Sequence, residues 1–307
     1  METLPKVSVI MAVYNQMDRD ALNDAVDSIL RQTLKDFEFI IYDDGSVPEA
    51  AEYIRKQKEK DPRIRVYGCD KNHGLGFSLN VCAGLTRGKY VARMDADDWA
   101  APDRLEIQYQ FLERETQYDW CGCNAFLFDK TDVWGIRKMP ESPDARDFLP
   151  FSPYIHPSVM YRRELLKRFH YSADEETLRC EDYEIFMRLR QNGFRGYNIQ
   201  KELLWFREDR DSYRRRTILS RWNETKLRFR GFMRLGILFP FGWFYALRPL
   251  LAAALPDRLI MAIKRGTYGY RIRSTASRIL QADIVRESGV AYGAGPRQIQ
   301  ARPFDFG

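Results

Sequence analysis

The sequence has no phosphate-binding glycine loop near its start. Its first glycine is Gly45, so the first strand is followed by neither a G-x-G-x-x-G dinucleotide turn nor a P-loop. Cysteine is scarce. Cys69, Cys82, Cys121, Cys123 and Cys180 match no disulfide framework and no zinc spacing. They read as small buried hydrophobes with free thiols, which suits a reducing compartment. Long apolar runs are also lacking. The run Leu235–Leu247 has 13 residues, short of the roughly 20 that span a bilayer, and Pro240 falls inside it. The N-terminus enters an apolar strand by Val7, without the basic and apolar regions of a signal peptide. A cytoplasmic location is the expectation.

What is present suffices for one large α/β domain and an appendage: 307 residues, 45% hydrophobic and 30% charged. The charge is split unevenly. Residues 1–200 carry 28 Lys+Arg against 34 Asp+Glu, whereas residues 201–307 carry 21 against 9. A basic C-terminal third of this kind seeks an anionic surface, whether phosphate-bearing substrate, lipid headgroup or nucleic acid.

The apolar runs Val7–Tyr14, Phe37–Tyr42, Ile64–Tyr67 and Tyr90–Met94 alternate with helical patterns at about 21–32, 48–60 and 76–87. Near-continuous apolar strands in repeated β-α-β order predict a parallel sheet covered on both faces. Further strands are expected at 119–128 and 158–161, and a helix at 182–193. From about 213, Ile218, Trp222, Phe229 and Phe232/Met233 recur at helical spacing among Arg214, Arg215, Arg221, Lys226, Arg228, Arg230 and Arg234. That is a basic amphipathic helix. The apolar runs after it, interrupted at Arg248-Pro249, suit an interfacial segment rather than a span.

Ligands of parallel sheets bind outside the carboxyl ends of the strands. There the chain places Tyr14-Asn15, Asp43-Asp44-Gly45-Ser46 and Asp95-Ala96-Asp97-Asp98. Carboxylates this close repel one another unless a cation sits among them. Hard divalent metals take such oxygens and complete their shell with phosphates. Asp97, directly after a buried strand, reads as a metal ligand; Asp98 reads equally as a helix N-cap. Asp43-Asp44 is either a turn or a carboxylate pair facing a ligand. Glu181-Asp182 opens a helix, where a carboxylate either caps the end or serves as a general base.

In this order the motifs resemble the family 2 glycosyltransferases of the GT-A fold. The matching stretches are the first strand through Asn15, Ser28 to Thr33, Phe37 to Ser46, Asn72-His73-Gly74-Leu75, Gly88 to Asp98, Pro102 to Leu105, His156 to Met160 and Glu181-Asp182-Tyr183. They cover roughly residues 5–215. The resemblance implies a mostly parallel sheet sandwiched by helices and a nucleotide-sugar donor. It implies Ala12, Val13 and Tyr14 as the wall of the base pocket and Asp44 as the residue meeting a uracil-type base. Asp95 and Asp97 correspond to the D-x-D pair, with Asp97 on a divalent metal, manganese or magnesium. Asp182 corresponds to the catalytic base, and Arg207 to a phosphate contact. Two departures stand out. Asp209 replaces a histidine two residues after the Phe206-Arg207 pair, and Ile218 replaces the glutamine of the Q-x-x-R-W motif of processive synthases.

The expectation is therefore single-sugar, inverting transfer to a saccharide or lipid-linked saccharide acceptor in cell-surface polysaccharide or glycan assembly. No nucleic-acid partner is expected. The domains are read as 1–212 catalytic, 213–280 basic and apolar helical, held peripherally at an anionic membrane surface on the inner face, and 281–307 a polar, flexible tail. The alternative is a catalytically silent GT-A-like binding protein at the membrane surface. His156 reads either as an acceptor-side group or as a buried structural histidine.

Overall fold

A computed structural model of the chain describes residues 4–129, 132–208, 217–253 and 257–268. The tail at 281–307, Arg214, Arg215 and Asp209 lie outside these residues.

Four strands form the first half of the sheet: β1 (Val7–Val13), β2 (Phe37–Asp44), β3 (Ile64–Cys69) and β4 (Tyr90–Arg93). They lie in the order β3-β2-β1-β4 and every pair is parallel. Burial on both faces of β1, β2 and β4 explains their unbroken apolar reading. Helices α1 (Arg19–Leu30), α2 (Pro48–Lys56) and α3 (Leu75–Leu85) make the crossovers. Asp18 caps α1, its carboxylate accepting from the Ala21 N–H at 3.1 Å, and the helix turns Leu22, Ala25, Val26 and Ile29 inward.

The chain runs outward from β1 to β3 and then returns to the other side of β1 as β4. The reversal of strand order therefore falls between β1 and β4, where a crevice opens beyond the strand ends.

Beyond β4 the sheet continues through β5 (Trp99–Ala100), β6 (Trp120–Phe128), β7 (Val133–Arg137), β8 (Met160–Arg162) and β9 (Gly196–Arg207). β8 runs antiparallel to β4 and β6, β9 runs parallel to β6, and β5 and β7 pair antiparallel with β9 and β6. The parallel ladders hold most of the paired residues, as expected. The strands β5, β7 and β9 carry no alternation long enough to be read from sequence. Cys121 and Cys123 lie two apart on β6 and are both buried, and the five cysteines form no disulfide among the described residues.

Helix α4 (Arg104–Arg114) follows β5, α5 (Arg163–Arg168) follows β8, and α6 (Glu181–Gln191) precedes β9. The fully buried Arg104 guanidinium donates to the carbonyls of Arg93 and Pro157 at 2.7 and 2.9 Å. It thereby ties the end of β4 to the turn that precedes β8 and satisfies a main-chain acceptor on each.

Three helices complete the described chain: α7 (Ile218–Arg234), α8 (Gly242–Ala253) and α9 (Asp257–Tyr268). The apolar residues read on α7 divide between two faces. Ile218 and Trp222 are exposed, at 79% and 50%, while Glu224, Thr225, Arg228 and Phe232 face inward. The reason is an internal ion pair. Arg228 binds Glu224 at 2.9 Å and stacks 4.8 Å from the Tyr183 ring centre, so two charged residues can be buried together. Gly231 makes the close approach possible, since a Cβ there would stand 2.4 Å from the Met187 sulfur on α6. Pro249 does not end α8, which runs through it. Among the described residues no helix is long and apolar enough to cross a membrane.

Candidate active site

The loops after β1, β2 and β4 are stapled together at the crevice. The Asn15 N–H donates to Ser46 Oγ and the Val47 N–H to Asn15 Oδ1, both at 2.8 Å. Asn15 adopts φ +49, a left-handed conformation that asparagine tolerates better than most residues. Gln16 reaches the Ala96 carbonyl at 3.4 Å. Along the β1 edge, Ala12 is half-buried, Val13 is buried and Tyr14 is exposed.

Asp44 is 2% exposed. Its oxygens accept from the His73 and Gly74 N–H groups at 2.9 and 2.8 Å and from the Asn72 amide at 2.8 Å. The carboxylate thus holds the Asn72–Gly74 loop that leads into α3. Gly45 follows at φ +73, and a Cβ there would lie 2.4 Å from the Lys71 carbonyl carbon. The turn after β2 therefore demands glycine. Asp43, in register with Val13, accepts from the Ser46 N–H at 3.0 Å.

The acidic loop follows β4. Asp95, Asp97 and Asp98 offer carboxylate oxygens within 4.8 Å of one another. Oxygen donors at this spacing suit a hard divalent cation. Asp95 is also gripped by Arg93 at 2.6 Å. Burial works against the charge on Arg93, and Asp95, Tyr171 and Asp98 together outweigh it, so the guanidinium is held more firmly protonated than usual. Arg93 was not foreseen as a site residue. The available signal was a cation inside an otherwise apolar parallel strand, which requires a buried partner.

Asp98 is not a helix cap, because α4 starts six residues later with Asp103 before it. Its Oδ1 accepts from the Arg207 N–H at 2.8 Å, while Oδ2 is buried without a hydrogen-bond partner. Burial, then repulsion from Asp97 and Asp95, pushes its pKa well above the ordinary carboxylate value. Arg207 also donates from Nε to the Asp97 carbonyl at 3.2 Å, and its guanidinium lies 3.6 Å from Asp18.

Asp182 stands in the first turn of α6, half-buried. Just before it, Arg179 takes φ +68, a costly conformation for a residue with a Cβ. Asp182 and Arg207 line one cavity of about 400 Å³ together with residues from β7, α7 and α8. Ala12, Val13, Tyr14 and Asp44 lie outside that lining, on the β1–β2 side of the crevice. His156 is a core residue, with Nε2 2.9 Å from the Tyr171 hydroxyl. Burial, and then Arg93, holds its pKa well below the usual histidine value.

Residues 8–169 match the family model described as Glycosyl transferase family 2. The chain is 34% identical over 259 residues to the putative glycosyltransferase EpsE of Bacillus subtilis (strain 168), covering 83% of this chain and 92% of that one. It is 28% identical over 217 residues to the Escherichia coli UDP-Gal:alpha-D-GlcNAc-diphosphoundecaprenol beta-1,3-galactosyltransferase, covering 69% and 78%. Its fold is similar to that of the mannosyltransferase PcManGT from Pyrobaculum calidifontis, solved in complex with GDP-Man and Mn2+, with TM-score 0.55, 18% identity and coverage of 93% and 88%. The curled, mostly parallel sheet flanked by helices is thus a GT-A fold, and the chain belongs to the family 2 glycosyltransferases.

Proposed function

We propose that the chain transfers a single sugar from a nucleotide-diphosphate sugar of the UDP type to a hydroxyl of a lipid-linked saccharide, with inversion at the anomeric carbon. The observation that carries this reading is the convergence on Arg207. Its main chain and Nε hold the acidic loop, and its side chain lines the cavity that contains Asp182. That arrangement supports a leaving-group site next to a site for an incoming hydroxyl.

The base of the donor lies against Ala12, Val13 and Tyr14, with the Asp44-braced loop beside it. Asp97 would hold a divalent cation, manganese or magnesium, with Asp95 and Asp98 in reach. When bound, such an ion offsets charge on the departing diphosphate. Arg207 supplies a fixed positive charge to the same oxygens. Asp182 takes the proton of the acceptor hydroxyl as its oxygen bonds to the anomeric carbon from the face opposite the leaving group. The bond from that carbon to the phosphate oxygen breaks in the same step, so the configuration inverts.

Residues 213–280 act as a peripheral membrane segment on the inner face of the cell membrane. Support comes from Phe239, Phe241, Trp243, Phe244 and Leu251, all exposed between 44% and 77%. Exposed large apolar side chains at and just before α8, next to the arginine-rich α7, suit the headgroup boundary of an anionic leaflet. The relative from Escherichia coli, named for a diphosphoundecaprenol-linked substrate, is consistent with an acceptor held at such a surface.

The test is sugar release from a panel of nucleotide sugars by the purified protein with manganese, followed by NMR of the anomeric proton in any transfer product. Turnover of a UDP sugar with inverted product supports the reading. A protein that turns over no donor with metal present is the silent binding protein instead.

A further inference from the structure

The cavity beside Asp182 carries more positive charge than a neutral sugar needs. Among the described residues six arginines line it against three carboxylates. Arg228 is already matched by Glu224, and Arg207 is engaged with the acidic loop. Three others are not matched in this way. Arg137 at the end of β7, Arg221 on α7 and Arg248 on α8 form no ion pair among the described residues. Arg137 lies 5.6 Å from the Phe151 ring centre, and its Nε is buried without a hydrogen-bond partner. Arg221 donates to the Pro249 carbonyl at 3.4 Å, and Arg248 donates to the Pro150 carbonyl.

Guanidinium groups from three separate elements repel one another when they face a common cavity. An anion with several oxygens is the ligand that balances them, and the planar fork of arginine matches phosphate oxygens two at a time. The position of the cluster narrows the ligand further. Arg248 points into the cavity from α8, the helix whose other residues Trp243, Phe244 and Leu251 are exposed.

We propose that Arg137, Arg221 and Arg248 bind the phosphate or diphosphate of the acceptor, so that the substrate class is a saccharide joined to lipid through phosphate. The saccharide then extends toward Asp182, the phosphate rests on the arginines, and the lipid leaves along α8. Naming the ligand as acceptor rests on the sugar-transfer reading; the anion site itself does not.

Inorganic pyrophosphate titrated calorimetrically into the full-length protein in excess chelator tests the site. Binding to the wild type is expected. Arg221→Gln and Arg248→Gln should each weaken it about tenfold, the effect of one lost charge-assisted contact. Arg221→Lys, which keeps the charge, should recover part of the loss, and the exposed position of Arg248 makes that variant the least able to disturb folding. In the same variants UDP with manganese should stay within about twofold, as for independent sites, and flotation on phosphatidylglycerol vesicles should fall no further than it does for Arg234→Gln, an exposed arginine of α7 outside the cavity. A wild type that binds pyrophosphate in chelator but not UDP with manganese would refute the donor reading and support the anion site. The proposal is overturned if pyrophosphate does not bind, or binds the variants equally well. It is also overturned if UDP affinity falls in parallel, which would assign the arginines to the donor. Loss of flotation beyond that of Arg234→Gln would make them a site for bulk lipid headgroups and overturn it too.

Discussion

Arg207 and Asp98, 109 positions apart, are joined by a 2.8 Å hydrogen bond from the Arg207 main-chain N–H to the Asp98 carboxylate. The two-residue strand β5 sets this up by pairing Trp99 with Trp205 and Ala100 with Leu204. The end of β9 thereby becomes the clamp on the acidic loop.

In the metal-free protein Asp98→Asn keeps an acceptor for the Arg207 N–H and removes a buried charge. Its stability should stay within about 1 kcal/mol of wild type or exceed it, whereas Asp98→Ala should lose about 1–3 kcal/mol by stranding the donor. The pH dependence has a definite sign. The folded pKa of Asp98 is raised, so the native state binds the proton more tightly than the unfolded one. Relative to Asp98→Asn, wild type should therefore lose stability as pH climbs above about 4. Urea denaturation in chelator between pH 4 and neutrality, roughly the span over which carboxyls titrate, reads both effects. Equal damage from Asn and Ala would refute the account.

Asp97→Ala should abolish donor turnover and manganese-dependent binding of UDP while the melting transition stays cooperative. Full activity of the wild type in excess chelator would show that no metal is held there.

Asp182→Asn retains shape and removes the proton acceptor. Transfer should fall by at least about 10²-fold with donor affinity nearly unchanged. A variant that unfolds, yet turns over normally in its folded fraction, would assign Asp182 to stabilising the start of α6 instead.

The exposed aromatics should anchor the protein to anionic vesicles. Each nearby Lys or Arg adds on the order of 1 kcal/mol at an anionic surface, and that part should weaken with salt. Replacing Phe241 and Phe244 by Ser should reduce flotation at every salt concentration. A full-length protein that stays in the aqueous fraction at low salt would rule out the membrane role.

Much of this was legible in the residues alone. Continuous apolar runs marked β1, β2 and β4 because strands buried on both faces need no alternation. The acids after them marked the crevice because parallel strands all end on one side. Asp44, Asp95, Asp97 and Asp182 stood out in the sequence as carboxylates at strand or helix ends, while the roles proposed for them come from the family resemblance.

Tertiary structure decided the rest. That Asp98 is a clamp rather than a cap depends on a strand of two residues, too short to announce itself. That Arg93 braces Asp95 and Arg104 holds the end of β4 depends on partners that only folding brings into reach. On α7, periodicity marked an amphipathic helix, but not that Arg228 and Glu224 would be buried together as an ion pair while Ile218 and Trp222 stay exposed. The cavity, with three arginines that form no ion pair among the described residues, has no local signature. Its walls come from β7, α7 and α8, and charge that looks like a solvated helix in sequence becomes a binding site only when separate elements aim it at one point.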